Sequence, residues 1–279
     1  MAFKLKYAAH LGIRSPDEPM LLHHAGSADP ADNIRVAAEL GFTGIEDNSF
    51  KRRPREQQDA VARALERHGL QMGCMVSATG TMMTMHWCRD EPEAREALRT
   101  EMEDSIEAAK RVNGRFLVVA GAADPKVPLG FQRAAMTEHL KRLGDMAHRA
   151  GMVICVEQIS RLRMPGMILH HIDEALEVVR AVASPAVQLV FDTYHVHTMD
   201  SSLIENIQRC REHIAVVQIS DSPSRLEPGA GEINYVNVLR ALRDNGFDGL
   251  VELECYVERP GLEGERLLLE RLRAIDAAL

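Results

Sequence analysis

The feature that most constrains the fold is a repeat of pattern, not of sequence: a short apolar run, a polar turn and a longer stretch of helical period, recurring from end to end. The runs are 5–11 (LKYAAHL), 43–47 (TGIED), 70–77 (LQMGCMVS), 115–121 (RFLVVAG), 152–158 (MVICVEQ), 187–192 (VQLVFD), 215–220 (AVVQIS) and 249–254 (GLVELE). Between them, stretches such as 56–68, 91–112, 131–150 and 235–245 carry apolar residues every three or four positions, the signature of an amphipathic helix. A glycine precedes several runs, at Gly41, Gly69, Gly151 and Gly246, where it would stop the helix before it. Nearly continuous apolar strands belong to a parallel sheet covered by helices, and eight such units predict an α/β fold of the (β/α)8 TIM barrel type. An open doubly wound sheet is the alternative, disfavoured because no GxGxxG or GxxxxGK[ST] opens a helix. No Pro, Gly or Ser-rich linker divides the 279 residues, so residues 1–279 read as one domain, a length that barrels commonly reach.

Composition narrows the partners. A net charge of −8 disfavours nucleic acid, which rewards clustered basic residues; the short run KRRPR at 51–55 reads as a solvated helix entry. Five cysteines without a CxxC read as small buried hydrophobes in a reducing compartment. The amino terminus lacks a signal-peptide core, and no stretch reaches the roughly 20 apolar residues that span a bilayer. The expectation is a cytoplasmic protein with a small-molecule substrate and no membrane partner, whose helical exterior would permit a homo-oligomer.

In a barrel, residues at the carboxyl ends of strands meet at one mouth. The last four runs end in Glu157, Asp192, Gln218 and Glu254. Four oxygens converging on one point require a cation, and oxygen ligation with three formal charges suits Mg2+ or Mn2+. Each acid taken singly could instead cap the next helix. Glu252 faces the same way as Glu254 by strand alternation and would lie one layer deeper, while Asp221 could substitute for Gln218. The loops 12–30 and 77–90 follow strands and so lie at the catalytic face. His10, at the end of the first strand, and Trp87, a candidate apolar wall, are expected substrate contacts. His10, His23, His24 and His86 could supply an acid to a leaving group.

The segments VEQISRLRMPGMIL (156–169), FDTYHVHTMDSSL (191–203), VVQISDSPSRLEPGAGEINY (216–235) and GFDGLVELECY (246–256) together resemble the hydroxypyruvate isomerase-like branch of the xylose isomerase-like barrel superfamily, which also contains ketose 3-epimerases, inosose dehydratases and endonuclease IV. The resemblance covers about the last 130 residues densely. It implies one divalent metal on Glu157, Asp192, Gln218 and Glu254, with Glu157 and Glu254 as the proton-transferring pair, and substrate contacts from His195 and Arg225. The implied reaction is isomerisation or epimerisation of a small α-hydroxycarbonyl compound, a ketose, keto-sugar or hydroxypyruvate-like keto acid, through a metal-stabilised enediolate. A dehydratase or lyase acting on a keto-sugar, keto-inositol or 3-keto-glycoside at the same site is the alternative. A nuclease would need a His-rich zinc site and a basic mouth; a non-catalytic binding protein would make the four oxygens an accident. His197 has no counterpart in the pattern and reads as structural. Gln158 and Ser160 stand where the branch usually has Pro and Asn, IEDNSF (45–50) lacks the usual Phe and Pro, and the 77–90 loop differs. The turn PGAGE (228–232) is placed where barrels bind phosphate, but resembles a loop that covers substrate.

Overall fold

A computed structural model describes residues 3–279. Nine short strands are all parallel to their neighbours: β1 Lys6–His10, β2 Gly44–Glu46, β3 Gln71–Met72, β4 Cys74–Val76, β5 Phe116–Val119, β6 Val153–Val156, β7 Val187–Asp192, β8 Ile214–Gln218 and β9 Leu250–Glu252. The helices are α1 Leu22–Ala25, α2 Pro30–Leu40, α3 Arg55–His68, α4 Pro92–Arg111, α5 Leu129–Arg149, α6 Ile172–Val182, α7 Thr193–Asp200, α8 Leu203–Cys210, α9 Tyr235–Asp244 and α10 Gly261–Ala277.

The strand order is β3-β2-β1-β9-β8-β7-β6-β5-β4. Its two ends, β3 and β4, are halves of one strand separated only by Gly73, so the ninth strand is a break in the expected third strand, and the cylinder closes there. The Gly73 N–H still reaches the Ile45 carbonyl at 2.7 Å. A Cβ at Gly73 would lie 2.4 Å from Glu252 Oε1, so the break marks where a lumen carboxylate crowds the backbone. The four glycines expected to end helices all adopt positive φ, between +66° and +95°.

Alternation along the strands sorts side chains into two cores. Leu189, Phe191, Val217, Ile219, Val251 and Leu253 pack outward against the helices. Cys74, Val118, Val153, Cys155, Val190 and Val216 fill the lumen. Continuing the inward series two residues along takes Cys155 to Glu157, Val190 to Asp192, Val216 to Gln218 and Glu252 to Glu254, so the lumen is polar at the carboxyl ends of four adjacent strands, and on β9 already one layer deeper. The five cysteines are buried free thiols. Among the described residues no helix is long and apolar enough to cross a membrane.

The basic run at 51–55 enters α3 with Arg52 and Arg55 exposed, as expected, but Lys51 and Arg53 are not solvated. Arg53 is buried, bonding Asp47 at 2.6 Å and the Leu11 carbonyl at 2.9 Å, and Lys51 bonds Glu101 at 2.9 Å. Both side chains tie the loop after β2 to its neighbours.

Candidate active site

The opening turn of α7 shows how one residue serves two purposes. Asp192 Oδ1 caps that helix, accepting the N–H groups of Tyr194 at 2.8 Å and His195 at 3.1 Å. Its other oxygen, Oδ2, accepts from Arg225 Nη2 at 3.0 Å. Helix capping and site duty, posed as alternatives by the sequence, coexist on the two oxygens of one carboxylate.

Arg225 is the hub. Its Nη2 also donates to Glu254 Oε2 at 2.6 Å, and its Nη1 lies 3.0 Å from His195 Nε2. His195 Nε2 is 3.6 Å from Glu157 Oε1 and 3.7 Å from Asp192 Oδ2. The Ser160 N–H donates to His195 Nδ1 at 3.2 Å, which puts the ring proton on Nε2, facing those carboxylates. The Arg225 guanidinium meets the same ring nitrogen at 3.0 Å, so two donors face a neutral ring that has one acceptor nitrogen. Thus Glu157, Asp192, His195, Arg225 and Glu254 come together as the sequence predicts. Arg225 holds this position with a left-handed backbone, φ +56°, uncommon for a residue with a Cβ.

Gln218 is turned differently from its expected place. Its amide donates to Glu46 Oε1 at 3.1 Å and approaches Cys74 Sγ at 3.5 Å, one layer below the carboxylates of the mouth. Its Oε1 is buried and has no hydrogen-bond partner. Asp221 does not replace it: that carboxylate accepts the N–H groups of Ser222, Gly229 and Ile233 and pins the 222–233 loop. Within PGAGE the Gly229 N–H goes to Asp221, the Ala230 N–H to the Glu227 carbonyl and the Glu232 N–H to the Ser222 carbonyl, which disfavours the phosphate reading and leaves a loop folded on itself.

Two predicted substrate contacts are corrected. His10 donates or accepts at both ring nitrogens within the main chain, Nε2 with the Cys255 carbonyl at 3.1 Å and Nδ1 with the Gly12 N–H at 3.0 Å, leaving neither for a ligand. Trp87 is buried, its indole N–H on Thr81 Oγ1 at 3.2 Å and its ring edge-on to His139; its Cβ side fills the space where Gly121 lacks one. His23 and His24 both bond Glu265, and His86 bonds Thr84. His197 pairs with Glu232 at 2.9 Å, a structural role as expected.

Electrostatics follow from one guanidinium facing three buried carboxylates. Burial pushes Asp192 up, but Arg225 and His195 outweigh it and hold its carboxyl below the usual range. Burial, then Glu254 and Asp192, raises Glu157 well above that range. Burial raises Glu254 to about 7 despite the opposing pull of Arg225. Burial lowers His195 to about 4, so the ring is neutral near pH 7. The group as built is short of positive charge and retains protons in place of a cation. Glu157, Asp192 and His195 offer ligand atoms all within 4.8 Å of one another, and Gln218 Oε1, one layer below, is a buried oxygen without a hydrogen-bond partner. This donor set fits a divalent cation.

Sequence reasoning missed Glu46, Asn48 and Cys74. Asn48 donates to Glu254 Oε1 at 3.0 Å. Glu46 and Cys74 join Glu252 in a second group of metal-competent side chains, with Glu252 accepting from the Cys74 N–H and Sγ, each at 2.8 Å. The signal for Glu46 was present: it ends an apolar run as Glu157 does. Burial raises Glu252 to about 7, against 4.5 ordinarily. Between those values the unfolded chain has released its proton and the fold has not, so stability falls as pH rises from 4.5 to about 7 and levels above. That window contributes about 3 kcal/mol. Urea midpoints of chelator-treated protein should drop between pH 5 and pH 8, and Glu252→Gln should lessen the drop, to which the raised Glu157 and Glu254 also contribute; an undiminished drop in the variant would refute the assignment.

Comparison with known proteins agrees with this architecture. Residues 34–277 match the family model described as xylose isomerase-like TIM barrel, and the chain belongs to that family. It is 25% identical over 251 residues to the 2-oxo-tetronate isomerase of Pectobacterium atrosepticum, covering 89% of this chain and 91% of that one. It is 29% identical over 163 residues to the hydroxypyruvate isomerase of Escherichia coli K12, covering 55% and 62%. The crystal structure of apo 3-keto-D-glucoside 4-epimerase from E. coli superposes with a TM-score of 0.77 at 20% identity, covering 98% and 100%, a likeness of fold.

Proposed function

We propose that the protein is a divalent-metal-dependent isomerase or epimerase of a small α-hydroxycarbonyl compound. The observation that carries this reading is the convergence of Asp192 and Glu254 on the Arg225 guanidinium at the mouth, with Glu157 3.6 Å from the His195 ring that the same guanidinium meets and a buried, unpartnered Gln218 oxygen one layer below. The names of the relatives, isomerases of 2-oxo-tetronate and hydroxypyruvate, support it. Glu157, Asp192, Gln218 and Glu254 would hold one Mn2+ or Mg2+, which when bound supplies Lewis acidity toward the carbonyl and hydroxyl oxygens. Glu157 and Glu254 are the acid–base pair: one removes the α-proton, the other returns a proton to the neighbouring carbon or the opposite face. Their raised proton affinities suit this, because a strongly acidic carboxyl is a poor base near neutral pH. Arg225 and the Nε2–H of His195 donate to substrate oxygens where negative charge grows.

Elimination at the same site needs an acid for the leaving group. The histidines considered for it are engaged elsewhere, His10 by the main chain, His23 and His24 by Glu265, and His86 by Thr84, which favours proton transfer without elimination. Elemental analysis and NMR in D2O test the proposal together. Expected are about one Mn2+ or Mg2+ per chain and deuterium at the α-carbon of hydroxypyruvate, 2-oxo-tetronate or a ketose. Several zinc ions per chain, or no exchange with any of the three after metal loading, would overturn it.

A further inference from the structure

Above the carboxylates, two arginines from different loops close on one neutral oxygen. Tyr256 lies two residues beyond Glu254, and its N–H donates to the Arg225 carbonyl at 2.8 Å, so its ring is fixed to the loop that carries the hub of the site. Its hydroxyl accepts Arg14 Nε at 2.9 Å and Arg163 Nη2 at 2.6 Å. Both guanidinium carbons also approach the ring, at 4.1 Å and 5.8 Å from its centroid. Arg14 comes from the loop after β1 and Arg163 from the loop after β6, and both are exposed.

The arrangement is electrostatically incomplete. Two like charges share one uncharged acceptor, and among the described residues neither arginine forms an ion pair with a carboxylate. Other arginines in loops do, as Arg53 with Asp47, Arg89 with Asp124 and Arg259 with Glu263. A loop tie alone would need one arginine on the phenol; a second adds repulsion and the ordering cost of a long side chain. An anion between them would turn that repulsion into two charge-assisted contacts. The Arg163 N–H donates to the Ser160 carbonyl at 2.9 Å, and the Ser160 N–H donates to His195 Nδ1 at 3.2 Å, so the loop that carries Arg163 is tied to a substrate-contacting group.

We infer that Arg14 and Arg163, aligned by Tyr256, bind an anionic end group of the substrate, so that the site selects α-hydroxycarbonyl compounds carrying a carboxylate or phosphate over neutral ketoses. This inference rests on the isomerase reading for what the other end of the substrate does, but the clamp is testable without turnover.

The experiment is calorimetric binding of three probes of similar size, erythronate, erythritol 4-phosphate and erythritol, to the full chain, with saturating Mn2+ and again after chelation. The wild type should bind one or both anions more tightly than erythritol, and which one identifies the end group. Arg14→Gln and Arg163→Gln should each weaken the anion about tenfold while leaving erythritol unchanged. Tyr256→Phe should weaken it less, because both cations remain. Equal binding of anions and erythritol by the wild type, binding of neither anion, or an anion preference that survives Arg14→Gln combined with Arg163→Gln, each overturns the clamp. Deuterium exchange separates this from the parent reading: a clamp that binds anions in a protein without exchange would leave the anion site standing and the isomerase refuted.

Discussion

Glu157→Gln and Glu254→Gln should each slow α-proton exchange with solvent by about 10²- to 10⁴-fold, the range for losing a positioned acid or base. The two variants should differ in every other respect. Glu157 accepts no hydrogen bond among the described residues and has only the His195 ring, 3.6 Å away, beside it. Glutamine there removes basicity and charge while leaving the neighbours satisfied, so thermal stability should hold or rise. Glu254 accepts from Asn48 on one oxygen and from Arg225 on the other. A carboxamide keeps only one acceptor oxygen, so one donor is stranded, and a loss of about 1–3 kcal/mol should accompany the loss of exchange. NMR of substrate in D2O and thermal melts, run on the same preparations, separate the effects. An exchange rate within about threefold of wild type in Glu157→Gln, well inside the loss expected for a base, would remove that residue from the proton transfer.

The barrel was legible because its causes are local. Apolar runs such as LVF, and VICV entered from the helix-stopping Gly151, declare buried parallel strands. The site's carboxylates were legible for the same reason: period-two alternation carries Cys155 to Glu157 and Val190 to Asp192 whatever the rest of the chain does. What the sequence could not show is where side chains turn once several strands contribute to one layer. Gln218 ends β8 as predicted, yet the layer beneath it holds Glu46, Cys74 and Glu252 from three other strands, and its amide goes to Glu46 and Cys74. His10 is at the mouth by position, but the bend at Gly12 brings a backbone N–H onto its ring. The Arg14, Tyr256 and Arg163 trio joins loops more than 90 residues apart, a separation that no local pattern encodes. Trp87 reads equally as wall or packing until the missing Cβ of Gly121 is seen to receive it.

Arg225→Met should destabilise the metal-free protein by about 3–5 kcal/mol, the cost of leaving buried carboxylates without their partner. Methionine keeps much of the side-chain length and, like arginine, has a Cβ, so the left-handed backbone at φ +56° is equally strained in both. The difference then reports charge. Asp192 is fully buried and Glu254 nearly so; without the guanidinium, Asp192 loses the interaction that outweighs its burial, and Glu254 loses the pull that limits its rise to about 7. A carboxyl whose folded proton affinity is raised loses stability as pH increases through that range, so the deficit should widen from pH 5 to pH 8. For a chain of this size the melting temperature should fall by roughly 10 °C. Saturating Mn2+ should restore more stability to Arg225→Met than it adds to wild type, since a ligand that binds the fold stabilises it by mass action and the variant presents the cation with carboxylates no longer shared with arginine. Differential scanning calorimetry at the two pH values, with and without Mn2+, measures all four corners. An unchanged melting temperature in the metal-free variant would mean that the acids are already neutral in the fold and that Arg225 is not their counter-charge.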